Sequence, residues 1–171
     1  SAQTRAITAR NAVLVSTPQA LTGCAPINAR DVVLLAGGNV STGAVLAGVP
    51  SPSAANPAPG TIPTGRVLIA SNGLAAESFL RSASVDYAAL LAASPVRTGG
   101  TVNVGAVNAG RFVSYSQGAM TGAAITTSDA LFVESGGRVT VAQRWFAPEM
   151  IISSGDIRIV DNGTVTGATG L

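Results

Sequence analysis

Gly137-Arg138-Val139-Thr140-Val141 and, a short way on, Gly155-Asp156-Ile157-Arg158-Ile159 carry one device: a glycine, a polar residue, then β-branched residues at every second position. Apolar and polar side chains alternating with a period of two describe a strand with one buried and one wet face. The device recurs upstream as Gly65-Arg66-Val67-Leu68-Ile69 and Gly100-Thr101-Val102-Asn103-Val104. The intervals from Gly65 to Gly100, Gly137 and Gly155 are uneven, the last being half the length of the others, which is too irregular to indicate a solenoid. A turn followed by a strand accounts for each copy, and one-sided strands of this kind belong to antiparallel sheets.

Other strand candidates are Ala12-Val13-Leu14-Val15, ended by Pro18; Asp31 to Leu35, closed by Gly37-Gly38; a weaker run from Thr42 to Val49; Arg111 to Tyr115; and Ala130 to Val133. One helix is expected over 85–93, with Ser84 as N-cap, Asp86 in the first turn facing the dipole and Pro95 as the stop. Residues 50–63 hold five of the nine prolines and read as an exposed loop or arm, because few of their backbone groups can join a ladder. The expected fold is mainly β, an antiparallel β-sandwich or barrel-like domain with one short helix and extended arms. Its divisions are an N-terminal arm over 1–11, a β domain over 12–133 with a Pro-rich arm at 50–64, and a C-terminal β extension over 134–171.

The composition excludes much chemistry. With 47% apolar residues the chain can bury a core, and 171 residues bury roughly 70% of their unfolded surface on folding. Histidine is absent, which removes the commonest general base and zinc ligand, and the absence of lysine removes Schiff-base chemistry and the P-loop cation. Gly37-Gly38-Asn39-Val40-Ser41-Thr42-Gly43 therefore reads as a turn, not a phosphate loop. The net charge is only +2, and the ten arginines are spread along the chain without clustering, so no nucleic-acid footprint is visible. The lone Cys24 forms no intrachain disulfide; with no signal peptide at Ser1 it points to synthesis in a reducing cytoplasm. No apolar run is long enough for a membrane helix.

The order of several short motifs resembles a modular domain of tailed-phage tail-fibre and attachment proteins. Val13 to Thr17, Leu21-Thr22-Gly23, Pro26-Ile27-Asn28 and Ala29 to Leu34 are similar to its opening strands and turns. Gly65 to Ile69, Phe79-Leu80-Arg81-Ser82, Asp86 to Leu91 and Val107 to Phe112 are similar to its later elements. The chain departs from that pattern in its Pro-rich insertion, in a Phe where the family has an aromatic that is usually Trp, and over 134–171. The resemblance implies a structural virion component, a tail-fibre subunit or a capsid decoration protein. It would be made in the host cytoplasm, act as an oligomer, with a trimer expected, and pack with other virion proteins without cofactor.

A particle component should show β patterning, few titratable groups and arms that add intersubunit area, and this chain has all three. The candidate intersubunit residues are Trp145, Phe146, Met150 and Ile151, in the one aromatic-rich stretch, for which the core of the C-terminal part is the favoured simpler reading. The alternative is a carbohydrate-binding β module using Trp145, Tyr87 and Tyr115 as platforms for a host-surface glycan. An enzyme would rely on carboxylates among Glu77, Asp86, Asp129, Glu134, Glu149 and Asp156, each better explained as a solvated surface group. Ser114 to Gly118 is no nucleophile elbow. A calcium site around Asp156 and Asp161-Asn162-Gly163 has poor ligand spacing.

Overall fold

A computed structural model describes residues 6–17, 19–23, 26–48, 63–71, 100–160 and 163–169. The helix expected over 85–93, Cys24, Glu77, Asp86, Tyr87, Asp161, Asn162 and most of the Pro-rich segment lie outside the described residues.

The fold is a parallel β-solenoid, which corrects the antiparallel sandwich or barrel expected from local alternation. Three walls run the length of the stack. The first is made of β1 (Ile7–Thr8), β4 (Ile27–Ala29), β7 (Val45–Ala47), the opening residues of β10 (Val107–Ser116), β12 (Ile125–Val141) and β13 (Arg144–Ile159), and β14 (Thr164–Thr169). The second is made of β2 (Ala12–Thr17), β5 (Asp31–Ala36), β8 (Arg66–Ser71) and the middles of the long strands. The third is made of β3 (Leu21–Gly23), β6 (Val40–Thr42), β9 (Val102–Val104), β11 (Met120–Gly122) and the ends of β12 and β13. Every pairing between described strands is parallel. A parallel pair needs a crossover of a dozen or more residues, and here the rest of each coil provides it.

The register explains why the repeat was hidden. On the first wall Ile7, Ile27, Val45, Val107, Ile125, Trp145 and Val165 stack in turn, and every step but one is close to the same length. The exception, from Val45 to Val107, contains residues 49–62 and 72–99; without them that coil matches the rest. In the sequence these two segments come between β7 and β8 and between β8 and β9, and the ladders of described strands continue on either side of them. The glycine device marks the start of the second wall at Gly65 and the approach to the third at Gly100, Gly137 and Gly155, so its spacing mixes two positions of one coil.

Alternation along each strand sends every second side chain inward, and the inward residues of successive coils form apolar ladders. Val32, Val67, Phe112, Leu131 and Met150 make one on the second wall; Val40, Val102, Met120 and Val139 make one on the third, all nearly or fully buried. On the first wall Ala29, Ala47, Ala109, Thr127 and Ala147 stack beside the Ile, Val and Trp rung and keep the interior narrow. A second apolar cluster of Val33, Leu35, Leu68, Ala70, Val113 and Tyr115 stands on the outer side of the second wall, also buried.

Candidate functional site

Two regions of the stack gather polar chemistry, and both are corners. Where the first wall turns into the second, the strands begin with Asp31, Arg66 and Arg111 at one register position. Arg66 forks onto Asp31, Nε donating to Oδ1 at 3.0 Å and Nη2 to Oδ2 at 2.9 Å, while the Arg66 backbone N–H donates to Oδ1 at 3.2 Å. Arg30 adds donors to Oδ2 from Nε and Nη2, each at 3.2 Å. Burial would raise the pKa of Asp31, but the guanidinium and backbone N–H of Arg66, with help from Arg30, hold it below the usual carboxylate value. One coil pair further on, Arg111 donates to Asp129 Oδ2 from Nη2 at 2.7 Å and from Nε at 3.1 Å, and Ser128 Oγ donates to the Pro63 carbonyl at 2.6 Å. A shallow groove lined by Thr64, Arg66, Gly110, Arg111 and Asp129 lies between these pairs.

The second corner, where the second wall turns into the third, is fastened by serines. Ser71 Oγ donates to Gly38 O at 2.6 Å, Ser135 Oγ to Gly118 O at 2.8 Å and Ser154 Oγ to Gly137 O at 2.7 Å. Ser71, Ser116, Ser135 and Ser154 occupy one register position, and the Ser71, Ser135 and Ser154 hydroxyls satisfy a turn carbonyl of the coil before. Such bonds are each worth about 1 kcal/mol net and leave no buried carbonyl orphaned. Arg138 donates to Asp156 across the neighbouring coils beside them.

These arrangements hold neighbouring coils together. The carboxylates of Asp31, Asp129 and Asp156 each accept from an arginine of an adjacent coil. Glu134 and Glu149 point outward and are exposed. Among the described residues no three His, Cys, Asp or Glu side chains are grouped closely enough to hold a metal. Of the calcium candidates, Asp156 is engaged by Arg138.

The four candidate interface residues are divided by strand alternation. Trp145 is fully buried on the inner side of the first wall, its Nε1 donating to Ala123 O at 2.8 Å. Met150 is buried on the inner side of the second wall. Phe146 lies on the outer side, half-buried, with the Arg144 guanidinium 5.4 Å from its ring centre. Ile151 also faces outward and is 52% exposed. Tyr115, a candidate sugar platform, is buried, with Gln117 Nε2 donating to its hydroxyl at 3.2 Å.

The serine ladder and the Asp31–Arg66 fork were not identified from the sequence. The signal for the first was present: Ser116, Ser135 and Ser154 recur at equal intervals. Asp31 and Arg66 are far apart in the chain, because residues 49–62 intervene, and nothing local links them. No family model, curated protein or solved structure matches this chain.

Proposed function

We propose that the chain is a non-catalytic structural segment of an attachment fibre, with the tail fibre of a tailed phage as its setting, acting through assembly with copies of itself and with other virion proteins. The supporting observation is the use made of its polar groups. Inward positions are given to apolar ladders, serines fasten turns, and three carboxylates are each held by an arginine of an adjacent coil. A linear stack that gains about 4.8 Å along one axis with each coil suits a fibre better than a decoration cap on a shell. Burial of Trp145 and Tyr115 leaves the carbohydrate reading without two of its three platforms.

The test combines native mass by light scattering with screens of the purified chain against polysaccharide, ester and phosphate substrates and against a glycan array. The expected result is no turnover, no saturable glycan binding and a discrete oligomer, with a trimer as the expected state. Turnover of any substrate, or saturable sugar binding by a monomer, would overturn the reading.

A further inference from the structure

The corner groove between Arg66 and Arg111 is built around a bulge. In the ladder of β10 and β12, Ser128 and Asp129 stand opposite the single residue Gly110, and an extra residue of this kind re-aims the side chains beside it. Ser128 bonds the Pro63 carbonyl two coils back, past the bare backbone of Gly110, and Asp129 turns onto Arg111 of the coil before its own. A Cβ at Gly110 would lie 2.8 Å from the Thr64 carbonyl carbon, so a side chain there would crowd the floor. The space left open is about 310 Å³.

Its polar groups are not all used. Arg66 and Arg111 occupy one register position on successive coils, about 4.8 Å apart along the stack, and their side chains are 31% and 42% exposed. Arg111 gives Nε and Nη2 to one oxygen of Asp129, and its Nη1 has no polar partner among the described residues. The hydroxyl of the exposed Thr64 is unengaged in the same sense. Among the described residues Arg30, Arg66 and Arg111 stand against Asp31 and Asp129, which leaves this corner one positive charge in excess. No aromatic ring is found among the described residues that line the groove, so a sugar has no platform there.

We propose that this groove binds a phosphate monoester, its phosphate lying between the Arg111 and Arg66 guanidinium groups with the Thr64 hydroxyl as a further donor. Guanidinium donors match phosphate oxygens in fork geometry, and a phosphate brings roughly two negative charges and three acceptor oxygens. A carboxylate brings less of both, and Asp129 already fills that role on Arg111. The volume is at the lower end of sites that hold a small organic ligand, so the phosphate enters with a short organic group attached. Asp129 then becomes the discriminating residue: its carboxylate holds Arg111 when no ligand is bound and repels the phosphate when one is. The inference adds a ligand to the non-catalytic reading without depending on it. Release of free phosphate from the ester would count against that reading, whereas absence of binding counts only against this one.

The test is calorimetric titration of the full chain at low salt with glycerol phosphate, inorganic phosphate and glycerol. Saturable binding is expected for glycerol phosphate, weaker binding for inorganic phosphate and none for glycerol, with affinity falling as salt is added. Arg111→Gln is expected to weaken binding about tenfold and Asp129→Asn to tighten it about threefold. Both side chains are well exposed, so circular dichroism should stay unchanged, and a pair that served only to fasten coils would gain nothing from the loss of Asp129. In parallel, vesicles of phosphatidylcholine with phosphatidic acid present the same group on a lipid: pelleting of the chain with them assigns the ester to a membrane, and its absence to a soluble molecule. No saturable binding of glycerol phosphate, equal binding of inorganic phosphate, or an affinity unchanged or weakened in Asp129→Asn would overturn the proposal.

Discussion

Single side chains inside a stack this narrow have little room to be indifferent. Ser114 faces inward between Ile69 and Val133, 1% exposed, and its hydroxyl has no hydrogen-bond partner among the described residues. A buried hydroxyl without a partner forfeits its hydration for nothing. Ser114→Ala is therefore expected to raise stability by up to about 1 kcal/mol in urea denaturation, an unusual sign for a core truncation. Asp31 is the opposite case, a carboxylate whose ionised form is held by Arg66 and Arg30. Asp31→Asn should cost about 2 kcal/mol at pH 7, because it removes a charge-assisted fork from a group only 12% exposed. The sign with pH follows from the lowered pKa. The stabilisation is present above the unfolded-state value of about 3.9 and is lost as pH falls through the lower folded value, so wild type and variant should converge in acid.

At the level of strands, each element is held by the coils before and after it, and glycines appear where the interior is tightest. A Cβ built on Gly122 would lie 2.6 Å from Trp145 Cζ2 and 2.9 Å from Ile125 Cδ1. Gly122→Ala should thus destabilise by about 1–3 kcal/mol through overpacking, with Trp145 fluorescence reporting the shifted ring. Most strands were legible as strands, since period-two alternation is a local property: Val67, Ile69, Val139 and Val141 do face inward, as the glycine device implied. Their partners were not. Pairing direction is set between coils, and residues 49–62 and 72–99 make one sequence interval between equivalent positions far longer than the others, which masked the period. A contrary signal lay in Val32-Val33-Leu34-Leu35, a continuous apolar run that is buried on both faces, the mark of a parallel sheet. The candidate interface residues were legible as an apolar cluster, but which of Trp145, Phe146, Met150 and Ile151 turn outward depends on where the corner at Pro148 resets the alternation. Composition carries no trace of that.

The molecule as a whole is close to one-dimensional, each coil touching mainly its two neighbours, so stability should be a sum of coil and interface contributions. Val107 and Ile125 occupy equivalent positions one coil apart. Deleting residues 107–124 is therefore expected to leave a folded, shorter stack whose urea m-value falls by about a sixth. Deleting half as many residues should abolish the cooperative transition, since it puts every later ladder on the wrong wall.

The parallel ladders have a mechanical consequence. Their backbone hydrogen bonds lie along the stack axis, so a force applied between the two ends loads the coils one after another and tears them off singly. One coil pulled straight, at about 3.3–3.6 Å per residue, spans more than ten times the roughly 4.8 Å it occupies along the axis of the stack. Stretched in an optical trap, the protein should lengthen in a sawtooth of one step per coil, the steps near equal except for that of the coil from Val45 to Val107, which is about three times as long, yielding at low force and extending far beyond its resting length before it parts.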